Sequence, residues 1–137
     1  MPKSITIGEI LDKEHYVQVT GDEKALERPI YVAEINGPGF ELAGFFKHSD
    51  FRRIIIFGDK ESAFINEMSE ERQREIFPFL INDEVPCIII AKGNECPAIL
   101  IEIARKKDFP IFITESATGR VSIELTNILD EALSPAT

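Results

Sequence analysis

Three uninterrupted runs of β-branched and aromatic residues constrain the fold of this chain more than any other feature. They occupy residues 53–57, 87–91 and 110–114. A run without polar alternation is typical of a strand buried on both faces, as in a parallel sheet covered by helices. The segments between the runs are long enough for helical crossovers. We therefore predict an α/β fold, a three-layer α/β/α sandwich with a mainly parallel central sheet.

Amphipathic segments supply the outer layers of this sandwich. Residues 61–68, 70–81 and 97–107 are predicted to be helical, and Pro78 should kink or split the second of these helices. After residue 120, apolar side chains recur at helical spacing and predict a last helix. That stripe consists of Val121, Leu125, Ile128, Leu129 and Ala132.

The amino-terminal third gives weaker signals. Thr6 and Glu9 have the spacing of a capping box at the start of a short helix. Residues 16–19 and 30–35 are predicted strands, residues 36–39 a turn and residues 40–46 a short helix.

Composition limits the compartment and the partners. The 137 residues fit one domain, which we place at residues 1–133, and 44% of them are hydrophobic. The formal charge of −9 argues against nucleic acid and anionic membranes as partners. No apolar run has the length of a membrane span, and no signal peptide is evident. We therefore expect a cytoplasmic protein.

No residue pattern of a known catalytic centre is found. The phosphate-binding P-loop and the dinucleotide fingerprint are both absent. His48, Ser49 and Asp50 are consecutive, so their side chains should diverge rather than form a relay. Cys87 and Cys96 match no metal spacing, and Cys87 lies in an apolar run typical of a buried thiol. We expect no catalytic residue, metal or cofactor in this domain.

Cations follow the predicted carboxyl ends of the three central strands. Because parallel strands end at one edge of a sheet, these cations should lie near one another, beside helix N-termini that attract anions. The candidate anion site comprises Lys60, Lys92, Ser116, Thr118 and Arg120. In the alternative interpretation, Ser116 and Thr118 only cap the last helix and the cations remain solvated.

The predicted helix at residues 40–46 carries more apolar side chains than one buried face requires. Phe40, Leu42, Phe45 and Phe46 are therefore candidates for a partner interface. Core packing is the alternative for most of them.

These segments together resemble the N-terminal domain of bacterial HPr kinase/phosphorylase over almost the full length. The resemblance rests on Arg28-Pro29, on residues 38–46 and on the strands with their following glycines, Phe57-Gly58 and Lys92-Gly93. It continues through Leu125-Thr126-Asn127 and Leu133-Ser134-Pro135. Gly37 and residues 117–120 depart from the family pattern.

The resemblance implies most of the functional expectation. Members of the family phosphorylate a serine of HPr, the phosphocarrier of the sugar phosphotransferase system, and remove that phosphate by phosphorolysis, which links them to carbon catabolite repression. The catalytic residues, ATP and Mg²⁺ belong to a separate C-terminal P-loop domain. The resemblance therefore implies a non-catalytic regulatory or assembly domain, with residues 134–137 starting a linker. The implied partners are that kinase domain and further copies, with HPr reached only through the kinase domain.

The resemblance also implies a fold similar to the N-terminal domains of Mur ligases. From the residues themselves, a second hypothesis remains open. In that hypothesis the chain is a stand-alone domain that senses a phosphorylated metabolite or a nucleotide.

Overall fold

Isoleucine-rich strands form the centre of a five-stranded sheet in the computed structural model, which describes residues 3–135. The strands are β1 (Ile5–Thr6), β2 (Val17–Thr20), β3 (Pro29–Ile30), β4 (Ile35–Asn36), β5 (Ile54–Phe57), β6 (Ile88–Ile90) and β7 (Ile111–Ile113). The sheet has the order β2-β7-β6-β5-β4, in which β4 to β7 are parallel and the edge strand β2 is antiparallel to β7. Strands β1 and β3 pair separately, antiparallel to each other.

Helices cover both faces of the sheet, as predicted. They are α1 (Ile7–Ile10), α2 (Gly39–Leu42), α3 (Asp59–Glu67), α4 (Glu70–Leu80), α5 (Ala98–Lys106) and α6 (Thr118–Leu133), and a 3-10 helix spans Glu23–Glu27. One apolar cluster joins Ile55 and Phe57 of β5 to α2, α3, α4 and α5. The other joins Ile54 and Ile56 to α1 and α6. The alternation along β5 therefore confirms the three-layer α/β/α sandwich.

The predicted last helix is also confirmed, with one adjustment. Val121, Leu125 and Leu129 are buried against the sheet, whereas Ile128 is 42% exposed. Pro78 lies inside α4, and the helix continues through it to Leu80 instead of splitting there. A proline near the end of a helix removes only one late hydrogen bond, so the final turn persists. Of the predicted linker, residues 136 and 137 lie outside the described residues.

The single strand predicted at residues 30–35 is wrong. Ile30 pairs with Ile5 in the small sheet, whereas Ile35 pairs with Ile54 in the main sheet. Residues 31–34 connect the two sheets and adopt no regular structure. A β-branched run indicates an extended backbone, but it does not specify which neighbour each part of the run meets.

The helix predicted at residues 40–46 ends early, at Leu42. Gly44 adopts a φ of +92°, a left-handed conformation that glycine tolerates. The amide of Phe45 donates to the carbonyl of Phe40 at 2.9 Å, and the amide of Gly44 donates to the carbonyl of Glu41 at 3.0 Å. These bonds form a Schellman motif, which terminates the helix.

Two amino-terminal details also differ from the prediction. Thr6 precedes α1, but its hydroxyl donates to the Glu9 carboxylate at 3.0 Å and caps no backbone amide. The 3-10 helix was not predicted, although Asp22 caps it by accepting bonds from the amides of Lys24 and Ala25. An aspartate before a helical turn is the sequence signal that would have revealed it.

Candidate functional site

The carboxyl ends of β5, β6 and β7 lie side by side, as expected for parallel strands. Backbone hydrogen bonds continue past the strands and tie the tips together. The amide of Ala91 donates to Phe57 at 2.9 Å, that of Gly93 to Thr114 at 2.9 Å, and that of Lys92 to Ser116 at 2.8 Å. This edge of the sheet is therefore a fixed frame that holds the following loops in place.

A pocket of about 410 Å³ opens at these tips, between the first turns of α3 and α6. Of the predicted anion-site residues, Lys60, Lys92 and Thr118 line the pocket. The remaining lining residues are Gly58, Asp59, Glu61, Ala117 and Gly119. The pocket therefore carries two cations, two carboxylates and the starts of two helices.

The Lys92 ammonium group is already paired at this edge. Its Nζ lies 2.7 Å from the Asp59 carboxylate, and the Asn94 amide donates to the other Asp59 oxygen at 3.0 Å. Hydrogen bonds from Lys92 and Asn94 lower the pKa of Asp59, and the same carboxylate raises the pKa of Lys92. Both groups therefore stay charged at neutral pH, and a bound anion would have to compete with Asp59 for Lys92.

Lys60 is the pocket cation whose charge is not balanced in this way. It makes no salt bridge with any residue in the described part of the chain, and it lies in the first turn of α3. Asp59 and Glu61, its sequence neighbours, also line the pocket. Any anion at this site would therefore depend mainly on Lys60 and on backbone amides.

The structure does not bring Arg120 and Ser116 into the pocket lining. The Arg120 guanidinium bonds to Glu124 one helical turn onward at 2.9 Å, and this carboxylate raises its pKa. Ser116 contributes its backbone carbonyl to Lys92 and its amide to the Thr114 hydroxyl. The predicted five-residue site is thus reduced to Lys60, Lys92 and Thr118.

Ser116 and Thr118 do not cap the last helix, so the capping role of the alternative interpretation is wrong. Ala117 occupies the N-cap position of α6, and no side chain caps the helix. Thr118 is the first helical residue, and its hydroxyl lies against Gly58, where an added Cβ would be only 2.4 Å from Thr118 Oγ1. A side chain at position 58 would therefore collide with the Thr118 hydroxyl in its present position. The first amides of α6 have no side-chain acceptor.

A larger pocket of about 480 Å³ lies between α3, α4 and the start of α5. Its lining contains Glu70 and Glu95 together with the amides of Asn66, Gln73 and Asn94, and it contains no lysine or arginine. This pocket is the more spacious of the two, but it has two carboxylates and no cation, so its charge does not favour an anion.

An aromatic surface lies away from these pockets, where α2 contacts α4. Phe40 is 75% exposed, and Phe45 and Phe79 are each 53% exposed. The Phe40 and Phe45 rings meet edge to face at 6.1 Å, and Phe46 packs on Phe79 at 4.5 Å. We call these four phenylalanines the aromatic face.

Leu42 does not belong to the aromatic face. It is 1% exposed and packs in the core, so its assignment to an interface is corrected. Phe79, in contrast, was missed in the sequence. It shares an exposed stripe of α4 with Arg72 and Glu75, at the spacing of one helical face, and that spacing was the available signal.

Ser49 and Asp50, two of the three consecutive polar residues at positions 48–50, have other hydrogen-bond partners. The Ser49 hydroxyl donates to the Glu41 carboxylate at 2.6 Å, and the Asp50 carboxylate accepts from Arg52 at 2.9 Å. Arg52 lowers the pKa of Asp50 to about 2. Within residues 3–135, neither the Ser49 hydroxyl nor the Asp50 carboxylate bonds to His48. In residues 3–135 no three potential metal-binding side chains cluster.

Helix lengths and cysteines complete the description. Within residues 3–135, no helix combines the length and the apolar character needed to span a bilayer. Cys87 is fully buried, as predicted, and burial raises its pKa to about 12. Cys96 is partly buried, and its pKa is also raised to about 12 by burial.

The fold and these surfaces define a three-layer α/β domain with a pocket at its strand tips and an exposed aromatic face. Residues 5–129 match the family model described as HPr Serine kinase N terminus. The chain therefore belongs to this family, and the predicted resemblance is confirmed.

Several bacterial HPr kinase/phosphorylases are similar to this chain. The HPr kinase/phosphorylases of Bacillus cereus strains AH820 and B4264 are 30% and 31% identical over 137 residues. That of Lactococcus lactis subsp. lactis strain IL1403 is 31% identical over 134 residues. The matches cover 100% of this chain and 44% of each Bacillus protein, and 98% of this chain and 43% of the Lactococcus protein. The chain thus spans less than half the length of these relatives.

Proposed function

We propose that this chain is a non-catalytic assembly and regulatory domain of a cytoplasmic HPr kinase/phosphorylase-type protein. More than half of each relative lies outside the matched region, since the match covers 44% of the Bacillus cereus protein. In this proposal, the transfer of phosphate to a serine of HPr and its removal belong to that other part, which would use ATP and Mg²⁺. In the same proposal, the present domain supplies the contacts that hold the parts of the assembly together.

The aromatic face is the observation that carries the assembly role. Phe40, Phe45 and Phe79 expose half or more of their surface, in a protein that buries other large side chains such as Phe57 and Phe77 completely. Burial of apolar surface is favourable by about 25 cal/mol per Å². An exposed aromatic ring gains this free energy only when a partner covers it. Clustered aromatic residues are also the usual centre of protein interfaces.

The Phe40–Phe45 contact has an additional structural role, because it accompanies the Schellman motif that ends α2. That motif needs an apolar contact, but it does not need the rings to remain exposed. Phe79 lies on a different helix and plays no part in the motif. The proposed partners of the combined face are further copies of the protein and the catalytic domain of the family.

Sedimentation velocity over a wide concentration range tests the assembly role. We expect the chain to self-associate and the double variant Phe40→Ser, Phe45→Ser to remain monomeric at the same concentrations. Ile123→Ser is the matched control, because Ile123 is 65% exposed on α6 in the opposite layer. Equal association of the double variant and the wild type, or a wild type that stays monomeric, would contradict self-assembly through this face.

Anion binding at the strand tips is the second candidate function. The specific observation in its favour is the 410 Å³ pocket between the first turns of α3 and α6, lined by Lys60 and Thr118. The positive end of a helix and its free amides favour phosphate groups. In this role the domain would sense a phosphorylated sugar or a nucleotide.

A thermal-shift screen with phosphorylated sugars and nucleotides tests this second function. A positive result is a rise in melting temperature that Lys60→Gln reduces and that Lys47→Gln, a change of an exposed cation outside the pocket, leaves intact. Absence of any shift at millimolar ligand excludes the sensing role and leaves the assembly role unaffected.

A further inference from the structure

An apolar pocket of about 240 Å³ lies next to the edge strand β2, on the side of the sheet covered by α1 and α6. It is separate from the strand tips and from the aromatic face. The residues that line it come from α1, β2, β7, the 3-10 helix and the loop after α1. They are Gly8, Leu11, Lys13, Tyr16, Val17, Gln18, Leu26 and Phe112.

Three side chains in the walls of this pocket belong to the buried core. Leu11, Tyr16 and Phe112 are 7%, 6% and 4% exposed and belong to the cluster beneath α1 and α6. Gly8 has no side chain to fill the space, and a Cβ added there would lie 3.3 Å from the Leu26 Cβ. The pocket is therefore built where α1 packs against the 3-10 helix, and the loop after α1 completes its lining.

Three side chains form the polar part of the lining, and they belong to Lys13, Tyr16 and Gln18. Tyr16 is 6% exposed, so its ring is also part of the apolar wall. The Gln18 amide is already committed, because it donates to the carbonyl of Thr20 at 3.1 Å. Lys13 is exposed, and it forms no salt bridge with another residue of the described chain. No carboxylate lines the pocket. In a protein of formal charge −9, an apolar pocket with one cation and no acidic lining favours an apolar ligand that carries one negative charge.

We propose that this pocket binds a small apolar carboxylic acid. The hydrocarbon part fills the space between Leu11, Leu26 and Phe112, and the carboxylate remains at the rim beside Lys13. The volume of 240 Å³ corresponds to roughly eight water molecules of the liquid, so a ligand of about ten non-hydrogen atoms fills it. At the efficiency usual for small ligands, such a compound binds with a Kd on the order of 1 mM.

The test follows amide chemical shifts of the chain in a ¹⁵N-labelled sample during titration with 3-phenylpropionate. We expect saturable shifts at Leu11, Val17, Gln18 and Leu26, with weaker binding of 3-phenylpropanamide by about twofold to fivefold, since an exposed ion pair contributes little. Propionate, which has the charge without the ring, should produce no saturation.

Two variants separate the parts of the proposal. Lys13→Gln should remove the preference for the acid over the amide while binding of the ring persists, and Lys60→Gln at the strand tips is the matched control that should change neither. Leu26→Trp should fill the pocket and abolish the shifts. Because Lys13 is exposed, its variant remains informative even if Leu26→Trp does not fold.

Three results would overturn the proposal. The first is the absence of saturable shifts at these amides at millimolar ligand. The second is equal affinity for acid and amide in the wild type. The third is an acid preference that survives Lys13→Gln or disappears in Lys60→Gln.

Discussion

Gly58 and Thr118 bring the first turns of α3 and α6 together at the strand tips. An alanine Cβ at position 58 would lie 2.4 Å from Thr118 Oγ1, well inside van der Waals contact. We predict that Gly58→Ala lowers the free energy of unfolding by about 1–3 kcal/mol, because overpacking at a fixed contact forces the two helices apart. Urea denaturation monitored by circular dichroism measures the change.

Two control variants make this prediction specific. Gly119 also lies in the pocket lining, but an added Cβ there meets nothing within 4 Å, so Gly119→Ala should be neutral or stabilising by up to about 1 kcal/mol. Adding Thr118→Ala to Gly58→Ala removes the clashing oxygen and should recover most of the loss. If the double variant is no more stable than Gly58→Ala alone, the contact is not the cause.

Cys87 gives a pH prediction at the same scale. Burial raises its pKa from 9.0 to about 12, so above pH 9 the unfolded chain loses a proton that the folded chain keeps. The protonated, buried thiol therefore makes its full contribution to the free energy of unfolding below pH 9, and this contribution is lost as the pH rises toward 12. Between pH 8 and pH 10 the wild type should lose about 1.4 kcal/mol more stability than Cys87→Ala. Equal losses in both proteins would contradict the burial of this thiol.

Burial of a residue can often be predicted from its sequence neighbours, whereas its contacts with distant residues cannot. The apolar run around Cys87 is enough to predict its burial. The position of Thr118 depends on Gly58, which is 60 residues away in the chain, and on the closeness of two helices. Likewise, side-chain pairing decides which predicted cations are available. The pairing of Arg120 with Glu124 could have been predicted from their i,i+4 spacing on a helix, whereas Lys92 pairs with Asp59, 33 residues away, and has no local sequence signal.

At the scale of elements, α4 separates a core-facing side from an exposed side. Phe77 is completely buried, whereas Phe79, two residues later, is 53% exposed and contacts Phe46. We predict that Phe77→Ala costs about 3–5 kcal/mol of stability, while Phe79→Ala costs at most about 1.5 kcal/mol. Thermal and chemical denaturation of both variants provide the comparison. A large loss in Phe79→Ala would mean that this ring stabilises the monomer and is not held for a partner.

The elements themselves follow from the sequence where one local signal dominates. The continuous apolar runs form β5, β6 and β7. Their side chains point to both faces of the sheet, so they can all be buried only between two helical layers. The run at residues 30–35 is equally β-branched, yet its two ends join different sheets, because strand pairing depends on distant partners. The early end of α2 could have been predicted from the sequence, because glycine is the residue type that favours the left-handed conformation after a helix, and Gly44 adopts it.

For the molecule as a whole, the proposed function assigns binding contacts to this domain and phosphate transfer to the rest of the protein. The chain belongs to the HPr serine kinase N-terminal family, and the described residues offer a pocket at the strand tips and an aromatic face. His48, Ser49 and Asp50 do not converge, since Ser49 and Asp50 each have another partner. In the function proposed above, the domain holds other parts of the assembly in contact and carries out no phosphate transfer itself.

The most direct test of that claim is a phosphotransfer assay with the purified chain. The chain is incubated with HPr, ATP and Mg²⁺, and phosphoserine on HPr is measured by mass spectrometry, with a full-length HPr kinase/phosphorylase as the positive control. The account predicts no phosphoserine above the level found without the chain. Phosphoserine that appears in proportion to the concentration of the chain would contradict it.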